Sequence, residues 1–416
     1  PSIAAHDCWG SNIYCHVRDR SDKEQQQLMR VVPRANEAIN ENWLSDRDRF
    51  AYQALAHKDR LLQPEVKRAD NWQKVGWQDA LPTMLDKVQQ IITAHGAENV
   101  CVVASPNIST ESAYAISQFM AELGVKNTDY RTHCLDFSDK TSRADLYGLA
   151  KPIEYIETCD RILMLGANVR QEQPLAALRM RKACQEGAKI HSIDSYEHND
   201  NFPVQMHVQH PQQWLCSIAM IINSLLQTGI SLPDGYEYAE QFVDLGIDDD
   251  AAQVAKDLLE GKQKLIWLGS GVYRHPSAVA LISVVRILAT MLDCELAVMK
   301  DGANVGGMHL AGLVPHTNLG GNLMEQPGDD LMQCLEQPRK AYIFFGLDPE
   351  HDFAAQSLIK SSIEQAELVV AFTAFTSDFL RSNVDYLLPI TTTAEEAGTL
   401  INIAGQRQSY AAAVSA

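Results

Sequence analysis

The stretch Arg161-Ile-Leu-Met-Leu-Gly166-Ala-Asn-Val-Arg170 decides how the rest of the chain is read. Residues 162–165 form an unbroken apolar run that ends in glycine and leads into a helix-compatible segment. A strand with one wet face alternates apolar and polar residues, so a continuous run predicts a strand covered on both faces, as in a parallel sheet. The same form recurs at Val100-Cys-Val-Val-Ala-Ser105, Lys264-Leu-Ile-Trp-Leu-Gly269, Ala341-Tyr-Ile-Phe-Phe-Gly346 and Leu368-Val-Val-Ala-Phe372. Helices between these runs would supply the crossovers of an α/β protein. Ala188-Lys-Ile-His-Ser-Ile-Asp194 reads as a further strand, following an amphipathic helix over 174–187 with Gly187 as its C-cap. The acidic segment 230–262 is expected to link two α/β units and to include one helix.

Around this frame the composition sets limits. At about 150 residues per domain, 416 residues suggest two to three domains. The 35 Lys and Arg stand against 53 Asp and Glu, a net charge of −18, which argues against a nucleic-acid or anionic-membrane surface. With 46% hydrophobic and 21% charged residues, the chain can bury several cores without staples. Nine cysteines occur without a CxxC pair and mostly within apolar runs, the pattern of buried thiols in a reducing compartment. No segment reaches the roughly 18 apolar residues of a membrane helix. The best candidate, 278–292, is broken by Arg286. No signal peptide is evident, and a start at Pro1 with an end at Ala416 suggests a piece of a longer polypeptide.

Residues 1–55 differ from the rest. They are rich in Asp, Arg and Gln, with short β-like runs at Ser11-Asn-Ile-Tyr-Cys-His-Val17 and Leu28-Met-Arg-Val-Val32. Arg18-Asp-Arg-Ser-Asp-Lys-Glu-Gln-Gln-Gln27 reads as a solvated hairpin tip, so this region is expected to be a small β-rich module.

Three glycine turns follow strand candidates: Gly166-Ala-Asn168-Val-Arg, Gly269-Ser-Gly271-Val and Gly346-Leu-Asp-Pro. Such turns can hold phosphate at a helix N-terminus, yet any strand-to-helix turn also needs glycine sterically. None completes a GxGxxG or a GxxxxGK[ST]. Together they predict strand carboxyl ends lined along one crevice, where a dinucleotide-like ligand would sit. His133 beside Cys134, and His309 and His316 around a glycine-rich loop, lack HxxxH or HExxH spacing and read as satisfied histidines. No GxSxG or other nucleophile signature occurs.

Several segments taken in order carry a resemblance. Trp72-Gln-Lys-Val-Gly-Trp77-Gln-Asp-Ala-Leu81 is similar to the entry motif of molybdopterin oxidoreductases. Leu165-Gly-Ala-Asn-Val-Arg-Gln-Glu-Gln-Pro174, Leu178-Arg-Met-Arg-Lys182 and Gly187-Ala-Lys-Ile-His-Ser-Ile-Asp194 resemble the form of that family found in the G subunit (75 kDa-type) of bacterial NADH:quinone oxidoreductase, complex I. Ser109-Thr-Glu-Ser-Ala-Tyr114, Leu123-Gly-Val-Lys-Asn-Thr-Asp-Tyr-Arg131, Asp385-Tyr-Leu-Leu-Pro389, Glu395-Glu-Ala-Gly-Thr-Leu-Ile-Asn402 and Gly405-Gln-Arg-Gln408 agree.

The resemblance implies an α/β fold in three parts. A small N-terminal β-rich module, 1–55, precedes two doubly wound (Rossmann-like) units of the formate dehydrogenase/DMSO reductase type. The first unit is 56–132 plus 258–416 and the second, inserted, is 133–257, with the run at 264–269 returning to the sheet begun at Val100. In the family four thiolates of the first module hold a [4Fe–4S] cluster. Here the matching positions are Ala4, Asp7, Ser11 and Ser45, so the expectation is a degenerate site with no cofactor in this fragment. The [4Fe–4S] and [2Fe–2S] clusters would lie in a missing N-terminal half of the full subunit. Cys134 falls within one position of the family's molybdenum ligand, but the His-Gly-Pro continuation is absent and an inert cysteine is expected. No catalytic residue is expected. Gly166, Asn168, Gly269, Gly271 and Gly346 remain as vestigial loop candidates.

The implied role is a scaffold for electron transfer from NADH to quinone, beside other peripheral-arm subunits, with no nucleic acid and no direct membrane insertion. The implied location is peripheral, on the cytoplasmic side of the inner membrane. The alternative is a molybdopterin-dependent oxidoreductase of the formate dehydrogenase type.

Overall fold

The computed structural model describes residues 1–19, 26–69, 71–140 and 148–416, with backbone alone at 238 and 242–244. Two sheets organise the molecule. The larger has seven strands: β4 (Glu65–Arg68), β5 (Asn71–Lys74), β6 (Val100–Ala104), β7 (Thr128–Asp129), β15 (Ala341–Phe345), β16 (Leu368–Thr373) and β17 (Tyr386–Pro389). Their order is β5-β4-β17-β16-β15-β6-β7. The five strands from β17 to β7 are parallel, and β4 and β5 close the edge as an antiparallel hairpin. The second sheet is parallel throughout, in the order β10-β9-β8-β11-β12. Its strands are β8 (Arg161–Leu165), β9 (Lys189–Asp194), β10 (Gln205–Val208), β11 (Lys264–Leu268) and β12 (Glu295–Val298).

Burial on both faces explains the continuous apolar runs. Side chains of β8 and β11 alternate across their sheet, as the two-residue period requires. Leu163, Leu165, Ile266 and Leu268 pack with helices Trp214–Gln227, Asp249–Glu260 and Ala278–Met291. Ile162, Met164, Leu265 and Trp267 face helices Tyr155–Thr158 and Pro174–Gln185. In the larger sheet Val100, Val102, Ala341 and Ile343 meet helix Trp77–His95, whose buried Ala80, Met84, Val88 and Ile91 recur every three or four residues.

The run at 264–269 departs from expectation. It does not return to the sheet of β6, because β11 pairs in parallel with β8, Leu265 opposite Ile162 and Leu268 opposite Leu165. By sheet membership the second unit therefore continues through β12. A file of polar side chains also ties helix Asp249–Glu260 to this sheet's edge. Asp250 contacts His207 at 3.2 Å, and His207 Nε2 meets His191 Nδ1 at 3.1 Å. His191 Nε2 reaches Asp257 at 3.1 Å, and Lys189 Nζ donates to Asp257 at 2.6 Å.

The N-terminal module is the antiparallel sheet β1 (Ser2–Ile3), β2 (Asn12–Asp19) and β3 (Gln26–Pro33). Most of the expected hairpin tip lies outside the described residues. Two small hairpins complete the chain, β13 (Thr317–Asn318) with β14 (Asn322–Leu323) and β18 (Gly398–Ile401) with β19 (Arg407–Tyr410).

The module is welded to the second unit. Trp9 is wholly buried in the core that contains Ile153, Ile162 and Ile403, and its indole N–H donates to Ile39 O at 2.9 Å. Arg179, 3% exposed, reaches across from helix Pro174–Gln185 to the carbonyls of Glu37 (2.7 Å) and Ile39 (3.1 Å) and to Glu157 (2.6 Å). Removing one partner of a buried charge network strands the other, at about 3 kcal/mol or more. Arg179→Ala is therefore expected to lower the urea-unfolding free energy by about 3 kcal/mol. A loss below about 1 kcal/mol, the scale of an exposed pair, would show that the weld lies elsewhere.

Candidate functional site

The N-terminal positions come together around hydrogen bonds. Ala4 N donates to Ser11 O at 2.9 Å, which brings the first and third positions face to face. Asp7 accepts from Trp9 N at 3.0 Å and from the Arg47 guanidinium at 2.7 Å. Burial, and then the Asp48 carboxylate, push the Asp7 carboxyl up to about 6 against the pull of Arg47. Ser45 is the N-cap of helix Asp46–Phe50: its hydroxyl accepts from Asp48 N (3.1 Å) and donates to the Asp48 carboxylate (2.8 Å). The other Asp48 oxygen holds His6 Nδ1 at 2.7 Å. His6, Arg47 and Asp48 were not singled out from sequence. Their only signal is the Asp-Arg-Asp-Arg-Phe run that follows Ser45.

The glycine turns do not lie along one crevice. Gly166, Asn168, Gly269 and Gly271 meet at the carboxyl ends of β8 and β11, whereas Gly346 follows β15 in the other sheet. At the first place the glycines serve loop-on-loop contact. A Cβ at Gly269 would lie 2.2 Å from Gly166 O, and one at Gly271 2.9 Å from the same oxygen. At Gly166, with φ +56°, a Cβ would meet the Trp214 ring at 2.9 Å. Gly271 N donates to Gly166 O at 2.9 Å, and the Ser270 hydroxyl donates to Glu172. Asn168 caps helix Val169–Glu172 and donates to the Tyr196 hydroxyl at 3.0 Å. Gly346, at φ +68°, opens onto a crevice of about 670 Å³ at the carboxyl ends of β6, β15, β16 and β17. Thr373, at the end of β16, and Thr376, Thr391, Thr392 and Thr393, on the loops that follow β16 and β17, line it without forming a sequence motif.

Of the remaining candidates Cys134, His133 and His309 are internally paired, whereas His316, expected to be satisfied, is not. Cys134 donates its S–H to Asp136 O at 3.1 Å, and burial pushes the thiol up to about 11. His133 is held by Asp301, and His309 Nε2 meets the Tyr130 hydroxyl at 3.0 Å. Burial, with Lys300 and Arg131 nearby, lowers His309 to about 3. His316 Nδ1 is buried without a hydrogen-bond partner among the described residues. Among the described residues no group of three or more His, Cys, Asp or Glu side chains is placed to hold a metal ion.

With this geometry in hand, comparison with known proteins is informative. Residues 60–416 match the family described as Molybdopterin oxidoreductase. The chain belongs to that family. Its relatives include the NADH-quinone oxidoreductase G subunit of Rickettsia felis, 25% identical over 98% of this chain and 51% of that protein. The corresponding G subunit of Rickettsia conorii is 27% identical over the full chain and 52% of that protein. The NADH-ubiquinone oxidoreductase 78 kDa subunit of Candida albicans is 26% identical over the full chain and 49% of its own length. This member of the family thus spans about half the length of the curated relatives it matches. Among solved structures, acetylene hydratase from Pelobacter acetylenicus superposes with TM-score 0.74 over the whole chain and 66% of that protein. At 14% identity that likeness establishes the fold alone.

A second match corrects one expectation. Residues 1–53 match the NADH-ubiquinone oxidoreductase NDSU1/NuoG-like 4Fe-4S domain, which overturns the expectation that this fragment has no cofactor. The module is of a cluster-binding type. The donors at Ala4, Asp7, Ser11 and Ser45 do not fit a [4Fe–4S] group: a methyl, two hydroxyls and a carboxylate already paired with Arg47 replace the soft thiolates it requires. Burial pushes the Cys8 thiol of this module up to about 12 and raises that of Cys15.

Asp7 supplies a pH test. Its folded pKa lies above the unfolded 3.8, so the folded state binds the proton more tightly. That contribution to stability is full below pH 3.8 and is lost as pH rises through 6, about 3 kcal/mol in all. Asp7→Asn is expected to be more stable than the wild type at pH 7 and to remove that slope from urea-unfolding curves. Parallel pH profiles for the two proteins would refute the shift.

Proposed function

We propose that this chain is the molybdopterin-oxidoreductase-like part of the G subunit of a respiratory NADH:quinone oxidoreductase and that its role there is structural. It would support electron transfer from NADH to quinone within the proton-translocating complex, packed against other peripheral-arm subunits on the cytoplasmic side of the inner membrane. The observation that carries this reading is the closure of the Gly166, Gly269 and Gly271 turns on one another. The absent side chains of these glycines are accounted for by the close approach of neighbouring backbone and of Trp214, the steric role that any such turn can have. Cys134 supports it as well, because its S–H is turned to Asp136 O in its own loop at 3.1 Å. Both points weigh against a molybdopterin-dependent oxidoreductase of the formate dehydrogenase type.

The two sheets are read as doubly wound units of the formate dehydrogenase/DMSO reductase type behind a module of residues 1–55. The inserted unit begins near residue 133 and runs to the end of β12. The −18 charge suits a subunit surrounded by other polypeptides.

A packing substitution separates scaffold from catalyst. In the full-length protein, Gly269→Val would drive a branched side chain into Gly166 O. The yield of assembled complex on native gels should fall several-fold, with NADH:quinone turnover per assembled complex unchanged. Normal assembly with lost turnover would overturn the structural role. Molybdenum or tungsten near one atom per purified chain would favour the enzyme reading.

A further inference from the structure

A cavity of about 210 Å³ lies between the N-terminal sheet and the loop that carries Thr392 and Ala394. Ile13, Leu28, Val31 and Leu55 give it apolar walls, and Ala4, at the first of the four cluster positions, contributes a methyl where the family has a thiolate. One edge is polar: His6 and Asp48, paired at 2.7 Å, both line the cavity, and Asp48 is pinned from behind by the Ser45 hydroxyl. A mainly apolar space, open on one side and with this polar pair at its edge, suits a small ring or short alkyl group.

This cavity adjoins the 670 Å³ crevice at the sheet's carboxyl edge. The two share Ala5, His6, Phe375, Thr392 and Thr393 as common walls. The crevice presents hydroxyls together with Asp348, Asp352 and Glu396, and no lysine or arginine lines it. Among the described residues none of these three carboxylates has an ion pair with lysine or arginine. An anion brought here would face three carboxylates, with His6 on the wall and Arg60 already paired with Glu395 behind Phe375, whereas a hydroxyl or an ammonium would find acceptors.

We propose that cavity and crevice form one site for a small amphipathic molecule, its apolar end beside Ala4 and its uncharged or cationic head among the threonines and carboxylates. The assignment goes beyond the scaffold reading and stands or falls without it.

Phenethylamine and phenylacetate test it as probes of one shape and opposite charge. In the methyl-labelled 416-residue chain, phenethylamine should shift the methyl resonances of Leu28, Val31 and Leu55 saturably, and phenylacetate should bind at least tenfold more weakly. Ala4→Leu, or Ala54→Leu from another wall should Ala4→Leu fail to fold, should weaken phenethylamine at least tenfold with the melting temperature held or raised. No shift at saturating phenethylamine, equal binding of the anion, or unchanged binding in a folded filled variant would each overturn the proposal. Incubation with ferrous iron and sulfide that gives a cluster spectrum and blocks phenethylamine would assign the space to a cluster and overturn it too.

Discussion

The whole N-terminal module depends on one constraint: it cannot close a core by itself. Its own apolar set, Ala4, Ile13, Leu28, Val31 and Leu44, is completed by Val414 from the far end of the chain. Trp9 leaves that set altogether and is buried in the second unit. Ile403 N donates to Cys8 O at 2.7 Å, and Gln408 donates to Gly10 O at 2.9 Å, so the last hairpin grips the first turn. Small sheets of this kind usually require a metal, a disulfide or a neighbour to fold. Here the neighbour is the rest of the chain, and Arg179 supplies the polar half of the junction. Hydrogen bonds at Asp7, Ser45 and Asp48 fill the places where the family has soft ligands.

Much of the architecture could be read from the residues, for a reason that also sets the limit. The runs at 100–104, 161–165, 264–268, 341–345 and 368–372 are strands because only double-faced burial tolerates such continuity. That same property hides the sheet to which each belongs. Lys264-Leu-Ile-Trp-Leu would satisfy either sheet, and its pairing with β8 is decided by helices around it. The glycines show a parallel ambiguity. Gly346 and Gly269 both end apolar runs, yet a Cβ at Gly346 finds its closest neighbour at 3.3 Å and one at Gly269 lands at 2.2 Å from backbone. One glycine is there for its turn, and the other for a loop pressed against it.

The site escaped sequence reading for a different reason. Ala4 and Ala394, or His6 and Thr392, are nearly four hundred residues apart and belong to no shared period or motif. Resemblance to the family pointed to the right module, and the match of residues 1–53 keeps it in the cluster-binding class. What family membership could not supply was the local chemistry. Burial raises both module thiols, and at the missing-ligand positions Asp7 and Ser45 are paired with Arg47 and Asp48 while the Ser11 hydroxyl is buried without a partner among the described residues.

The file of side chains at the edge of the second sheet makes one imidazole do two jobs. His191 reaches Asp257 through Nε2 at 3.1 Å and His207 through Nδ1 at 3.1 Å, so a single buried ring joins the helix Asp249–Glu260 to both β9 and β10. A neutral imidazole has one donor and one acceptor nitrogen, and this ring uses both. Burial is the largest influence on His191 and favours that neutral form. The helix is thus held to the sheet by a ring with no spare hydrogen-bonding capacity.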